Sequence, residues 1–266
     1  MMRTSLLILA ATLLTGCPKK PPTPAAAEQA QADTQPTADM LFEQTIETMG
    51  GRDNIEAMQS LVMSGKMEMP AMGIAMEMTR WQQAPDKAST VIVMPGVGEI
   101  REGFDGKTAW SMHPVTGPAI KSGAELAEER RNSDFYAALH YADHYPTREV
   151  VGSKEHAGEA CWQVDVVTSD GQPRSLYFAV DDGMIMGSTG SVPTEMGAVP
   201  MVTTITEIKE FNGFPMASRT SVEVGAMQMV LVIDDLKIDV PATELPSFTP
   251  PAEVQALQAE LDALPE

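Results

Sequence analysis

Cysteine is nearly absent from this chain. Cys17 and Cys161 are the two in 266 residues, too few for a disulfide framework and without the paired spacing of a thiolate metal site. Basic residues are also scarce: 18 Lys and Arg stand against 37 Asp and Glu, and the formal net charge is −19. That balance argues against nucleic acid as a partner and against electrostatic docking on anionic head groups. The apolar run from Leu6 to Leu14 is too short to cross a bilayer as a helix. Catalytic signatures are missing too, since no Gly-x-Ser-x-Gly elbow, phosphate loop or paired-cysteine motif occurs. His140 and His144 stand at a spacing that suits a helical metal pair, with Asp143 beside them, but Tyr141 occupies the place of a zincin glutamate. We read them as a solvated helix end, and His113 and His156 as surface residues. The expectation is a protein that is not an enzyme, with no cofactor and no metal.

What is present begins with an address. Residues 1–16 carry Arg3, the apolar run, and the small residues Thr15 and Gly16 ahead of Cys17, the layout of a secretory signal. Leu14-Thr15-Gly16-Cys17 resembles the lipobox of bacterial lipoproteins, in which cleavage precedes a cysteine that then carries acyl chains. Cys17 is therefore the expected lipid anchor. Pro18 follows it in place of the aspartate that retains such proteins in the inner membrane, so the resemblance implies the outer membrane, with the body in the periplasm. From residue 17 to residue 36 the chain is rich in Pro, Ala, Gln and Thr and reads as a flexible tether. Cys161, in an alternating run, reads as a small buried apolar residue.

The body, residues 37–266, changes period repeatedly. Thr37 caps a helix from about Ala38 to Met49 with Phe42, Ile46 and Met49 on one face, stopped by Gly50-Gly51; Asp53 and Glu56 mark a short helical turn. From Leu61 the period is two, and Leu61, Met63, Met67 and Met69 share a face. Pro70 to Gly73 turns the chain, and Ile74, Met76 and Met78 continue an apolar face. A strand from Ala88 to Met94 leads into a hairpin around Asp105-Gly106, read as a two-residue turn with positive φ at both positions. Phe104 and Trp110 flank it and call for a larger sheet over their face. Ser122 and Glu125 suggest a capping box for a charged helix through Arg131, and a second helix is expected from Asp134 to about His144. Seven further alternating runs follow between Glu149 and Leu236, with Asn212-Gly213 and Gly225-Ala226 as turns. An amphipathic helix after Pro251 bears Val254, Leu257, Leu261 and Leu264. The fold class is mainly β with accessory helices: about eleven or twelve antiparallel strands in a curled, half-open barrel covered by helices.

The helix ending in Gly50-Gly51, the strand from Leu61 to Met69, the GFDGKTAW run with Pro114 and Gly117, and Phe211-Asn212-Gly213-Phe214-Pro215 resemble the outer-membrane lipoprotein-sorting proteins, the relatives of LolA and LolB. The resemblance covers about Thr37 to Pro250. It implies a strongly curved antiparallel sheet, an incomplete barrel, closed by helices over an apolar cavity for acyl chains. The acceptor members carry a protruding loop with an exposed apolar residue. Pro70 to Gly73, with Met72, and Ser191 to Pro200, with Met196 and Val199, are the loops that could play such a part here.

Methionine is the abundant residue, at 20, and its flexible thioether suits surfaces that accept varied apolar partners. Met67, Met69, Met76, Met78 and Trp110 are the expected lining of the cavity, with the central and C-terminal helices as its lid; Met184, Met186, Met227 and Met229 repeat the spacing. The expected partners are lipid or lipoprotein acyl chains. The same residues leave open an envelope-stress sensor with a protein partner, or a structural envelope protein whose cavity is filled by its own side chains.

Overall fold

The alternation that begins at Leu61 runs through most of the body and builds a single sheet of thirteen strands. The computed structural model describes residues 35–194 and 197–263; the expected signal segment, Cys17, nearly all of the tether, Met196 and Leu264 lie outside them. In chain order the strands are β1 (Ser60–Met69), β2 (Ile74–Gln83), β3 (Lys87–Met94), β4 (Gly98–Phe104), β5 (Ala109–His113), β6 (Gly117–Ile120), β7 (Thr147–His156), β8 (Glu159–Val167), β9 (Pro173–Ala179), β10 (Ile185–Thr194), β11 (Gly197–Phe211), β12 (Phe214–Val224) and β13 (Met227–Ile238). Among the described residues five helices accompany them: α1 (Ala38–Thr48), α2 (Arg52–Ala57), α3 (Gly123–Ser133), α4 (Tyr141–His144) and α5 (Ala252–Asp262). The spatial order is β6-β5-β4-β3-β2-β1-β13-β12-β11-β10-β9-β8-β7. Two meanders are thus joined where β1 pairs antiparallel with β13.

Several local expectations are corrected. The additional strand is β6, whose Gly117-Pro118 start conceals a pairing with β5. The Asp105-Gly106 turn is wider than two residues, because Phe104 pairs with Ala109. Only Gly106 has positive φ there, at 95°, and Asp105 shapes the loop by accepting from the Lys107 and Thr108 N–H groups at 2.9 and 2.7 Å. Ser122 precedes α3 but makes no side-chain cap bond. The helix expected from Asp134 is reduced to α4, with turns before it. Ser191–Pro200 is not an open loop: the Ser191↔Pro200 and Val192↔Val199 pairs extend β10 and β11. Pro70–Met72 is a 3₁₀ turn, closed by Gly73 at φ 63°, and Met72 on it is exposed.

Register partners share a face, which allows one side of the sheet to be followed across its width. Met76 pairs with Met67, Met67 with Leu231, Leu231 with Thr220 and Thr220 with Ile205. Two residues along, Thr203 pairs with Ser188, Ser188 with Leu176 and Leu176 with Val164. Both apolar clusters of the body therefore sit on one face. The first joins Leu41, Phe42 and Ile46 of α1, Ile55 of α2 and Tyr141 of α4 to Val164, Val166, Leu176 and Phe178. The second is the methionine cluster described below.

The sheet is strongly curved, and α3 records how far its ends approach. Lys121, just past β6, pairs with Glu129 of α3 at 2.7 Å, and Arg80 of β2 donates to the Asn132 carbonyl at 3.0 Å. On its other side Arg131 reaches Asp170 in the β8–β9 turn at 2.7 Å, and Glu128 binds Arg174 of β9. One helix of eleven residues spans about 16 Å, so both ends of a thirteen-stranded sheet come within its reach. The result is a half-open barrel strapped by a charged helix.

Candidate functional site

The second cluster has Met76, Met78, Ile92 and Ile233 at its centre, with Met63, Met67, Met69, Met94, Ile100, Phe211, Met216 and Leu231 packed around them. Alternation places these side chains: every second residue of β1 and β2 points to the same face, and Met67↔Met76 and Met78↔Ile92 are direct partners. Met76 and Met78 are 4% and 7% exposed, while the surrounding members are half-buried. Each buried methionine contributes roughly 1.5–3 kcal/mol. Among the described residues no helical side chain belongs to this cluster, whereas the first is roofed by α1, α2 and α4. All members are apolar, so the chemistry on offer is contact.

Four of the five residues expected to line a cavity, Met67, Met69, Met76 and Met78, are thus brought together. Trp110 is not among them. It pairs with Gly103, two residues from Arg101, whose partner Val91 faces away from the Met78↔Ile92 side. Trp110 lies on the opposite face, folded over Gly103 so closely that a Cβ there would meet its ring at 2.5 Å. Its neighbour in the hairpin, Phe104, is buried on the methionine side; alternation with an intervening four-residue loop separates the two rings. The C-terminal segment also differs from its expected place in a lid. Residues 242–249 share a cleft with Gln83 and Lys87, on Trp110's side, and α5 packs on β5 and β6. Met94, Ile100, Phe211 and Met216 were absent from the expected lining. Ile92 and Met94 alternate as the earlier methionines do, but the approach of β11 and β12 depends on curvature and leaves no mark in local pattern.

A cavity of about 480 Å³ on the opposite face is lined by Glu149, Asp165, Ser175 and Thr189, partners in a row across β7 to β10, with Arg174 nearby. Val166, Val167 and Pro173 also line it, but the charged groups of Glu149, Asp165 and Arg174 do not suit an acyl chain. At the far end of α3, His140 and His144 both hydrogen-bond one oxygen of Asp134, not Asp143. Burial pushes the Asp134 carboxyl upward, but the bonds from His144 and His140 outweigh this and hold it below its ordinary value. His156 is no simple surface residue, since its ring stacks on Tyr177 with centroids 4.2 Å apart. Cys161 is fully buried, and burial pushes its thiol up, away from the reactive thiolate form.

No family model and no curated protein matches the sequence. Solved structures do match the fold. A LolA superfamily protein from Nitrosomonas europaea superposes with a TM-score of 0.54 at 13% identity, over 80% of this chain and 99% of its own. A DUF1329 family protein from Desulfovibrio piger gives 0.53 at 11% identity, over 78% of this chain and 94% of its own. At such identity the likeness speaks for architecture alone, and the architecture agrees with the open thirteen-stranded sheet and its helices: the chain has the LolA-like fold.

Proposed function

We propose that this chain is a lipoprotein anchored through Cys17 in the outer membrane, whose periplasmic body binds lipid or lipoprotein acyl chains against the methionine face. It is a carrier or acceptor without catalytic activity. The observation that carries the reading is the contrast between the two clusters. Among the described residues one half of the face is roofed by aromatic and aliphatic side chains from helices; the other is filled from strands alone, by seven methionines with Ile92, Ile100, Phe211, Leu231 and Ile233. Methionine repacks at little cost around partners of different shape, so an acyl chain entering this half displaces mobile thioethers instead of a fixed lid. Burying a sixteen-carbon chain contributes about 12 kcal/mol at roughly 0.8 kcal/mol per methylene. Association costs about 4–15 kcal/mol. The resulting modest affinity suits a protein that must release its cargo.

The test uses Cys17→Ser in the full chain. This variant is expected in the soluble periplasmic fraction and the parent in the outer-membrane fraction; a variant that stays with membranes after a salt wash would place the anchor elsewhere. The soluble protein is then analysed by native mass spectrometry for co-purified lipid and titrated with a fluorescent fatty acid. Saturable binding that weakens by about tenfold in Met76→Gln/Met78→Gln, with the circular dichroism unchanged, is the expected result. A folded protein with no lipid and no saturable binding would refute the carrier reading.

A further inference from the structure

We propose that Asp134, His140 and His144 form a binding site for a divalent transition-metal cation of the zinc, nickel or copper class. Asp134 Oδ2 lies 2.8 Å from His140 Nδ1 and 2.6 Å from His144 Nε2. One donor atom from each residue falls within 4.8 Å of the others. The chain builds this convergence from a helix end and a helical turn. Asp134 caps α3, its N–H donating to the Arg130 carbonyl at 3.0 Å. The His140 N–H donates to the Tyr136 carbonyl at 3.1 Å and the His144 N–H to the His140 carbonyl at 3.0 Å. Histidines four residues apart on such a turn share a face, and the turn folds them back onto the carboxylate at the preceding helix end.

The surroundings hold the three ligands in place. The second oxygen of Asp134, Oδ1, accepts from the Tyr136 N–H at 3.0 Å, the kind of outer contact that orients a ligating group. Both ends of the turn are tied to the body, through the Phe135 N–H on the Pro85 carbonyl at 2.9 Å at one end and the Ser169 N–H on the His144 carbonyl at 3.0 Å at the other. Asp134 and His144 are 15% and 16% exposed, while His140 is 47% exposed. A cation can therefore arrive from solvent on the His140 side and keep water in its remaining position.

Two imidazole nitrogens and one carboxylate oxygen suit zinc, nickel or copper, and are too few oxygens for calcium or magnesium. Bonds of about 2.0–2.1 Å at tetrahedral angles place neighbouring donor atoms about 3.3 Å apart. To admit the ion the Asp134–His140 distance must widen by roughly 0.5 Å and the Asp134–His144 distance by roughly 0.7 Å; rotation of the half-exposed His140 ring supplies the first, and a turn of the Asp134 carboxylate about its own χ2 supplies the second. Each imidazole gives up to solvent the proton it donated to Asp134, presents the freed lone pair to the cation and carries its one remaining proton on the nitrogen facing away. Nothing is oxidised or reduced. The ion would pin α3 to α4, and Tyr141 of α4 stacks on Phe42 of α1 with centroids 4.5 Å apart, so it would stiffen the roofed half of the face.

The experiment titrates the metal-stripped full chain, in detergent and a non-chelating buffer, with zinc chloride and nickel chloride by calorimetry, and repeats thermal unfolding with and without each ion. One cation per chain and a raised unfolding midpoint are expected. His140→Ala should weaken binding by about tenfold or more and remove the midpoint shift, and its far-ultraviolet circular dichroism should match the parent because the ring is half-exposed. Asp134→Asn should act in the same direction, with His113→Ala as the variant that leaves binding unchanged. Absence of saturable binding, or binding that His140→Ala does not weaken, would overturn the proposal. Loss of lipid binding in the Met76→Gln/Met78→Gln variant is a separate result and has no bearing on this one.

Discussion

Gly65 has no room for even a methyl group. A Cβ on it would lie 1.9 Å from the Val232 carbonyl oxygen, inside the β1–β13 pairing whose register shifts between Ser64 and Gly65. The obstacle is backbone, which cannot rotate aside as a side chain can. Gly65→Ala should therefore cost about 3 kcal/mol or more and lower the unfolding midpoint by roughly 2–4 °C for each kcal/mol. Thermal unfolding checks this; an unchanged midpoint would mean that the two strands separate here without penalty. In the sequence Gly65 was visible only as a gap in an apolar stripe, because close approach is a property of the partner strand. The Asp105 loop teaches the same lesson. Asp-Gly correctly marks a reversal, but the loop is two residues wider than the expected one; Trp110 lies away from the methionines at either width, since its partner is Gly103 here and would be Arg101 in the tighter turn, and both share the face opposite Phe104.

Elements were more legible than their contacts. Twelve of the thirteen strands follow from alternation bounded by glycine, proline, asparagine and aspartate; β6 was hidden because it begins with Gly-Pro and is only four residues long. The helix α3 was legible as a charged helix, but not as a strap, since its partners lie on β2, on β9, in the β8–β9 turn and just past β6. Its chemistry is testable by pH. Burial pushes the Glu129 carboxyl up, yet the Lys121 hydrogen bond and charge, with Arg80 and Ser133, outweigh this and hold it below its ordinary 4.5. The folded state thus binds fewer protons at Glu129 than the unfolded chain does. The stabilisation is complete above the unfolded value and is lost as pH falls through the folded one. Burial lowers Lys121, but Glu102, Glu129 and Glu125 more than compensate and raise it above 10.5, so its contribution holds below that value and disappears as pH rises through the folded one. Glu129→Gln should destabilise the protein by about 1.5–3 kcal/mol at neutral pH, and the difference from the parent should shrink towards pH 3–4. Denaturant midpoints at the two pH values measure it. A constant difference would show that the carboxylate charge is not what holds the strap.

At the scale of the whole molecule, the sheet is two meanders with a single seam. Eleven of its twelve strand pairings join neighbours in sequence, and only β1–β13 joins the beginning of the body to its end. The curved, half-open architecture was legible because a sheet of this many strands cannot stay flat. Which residues meet across it was not, since Phe211 and Met216 reach the methionines only after the seam has closed. That arrangement has a kinetic consequence. Hairpin pairings close short loops and form early, whereas the seam brings together Leu61 and Ile238 and carries the loop-closure entropy of the intervening chain, which grows as (3/2)RT ln n and is met in one step. Substitutions that weaken the early pairings of either meander, and Gly65→Ala at the seam itself, should then act mainly on the folding rate and leave the unfolding rate little changed, in stopped-flow refolding of the Cys17→Ser protein. Until that step β1 and β13 are both unpaired edges, with the methionines between them open to solvent. The protein's most adhesive state is therefore the one that precedes its last pairing, and the time spent there is set by a single strand-to-strand search.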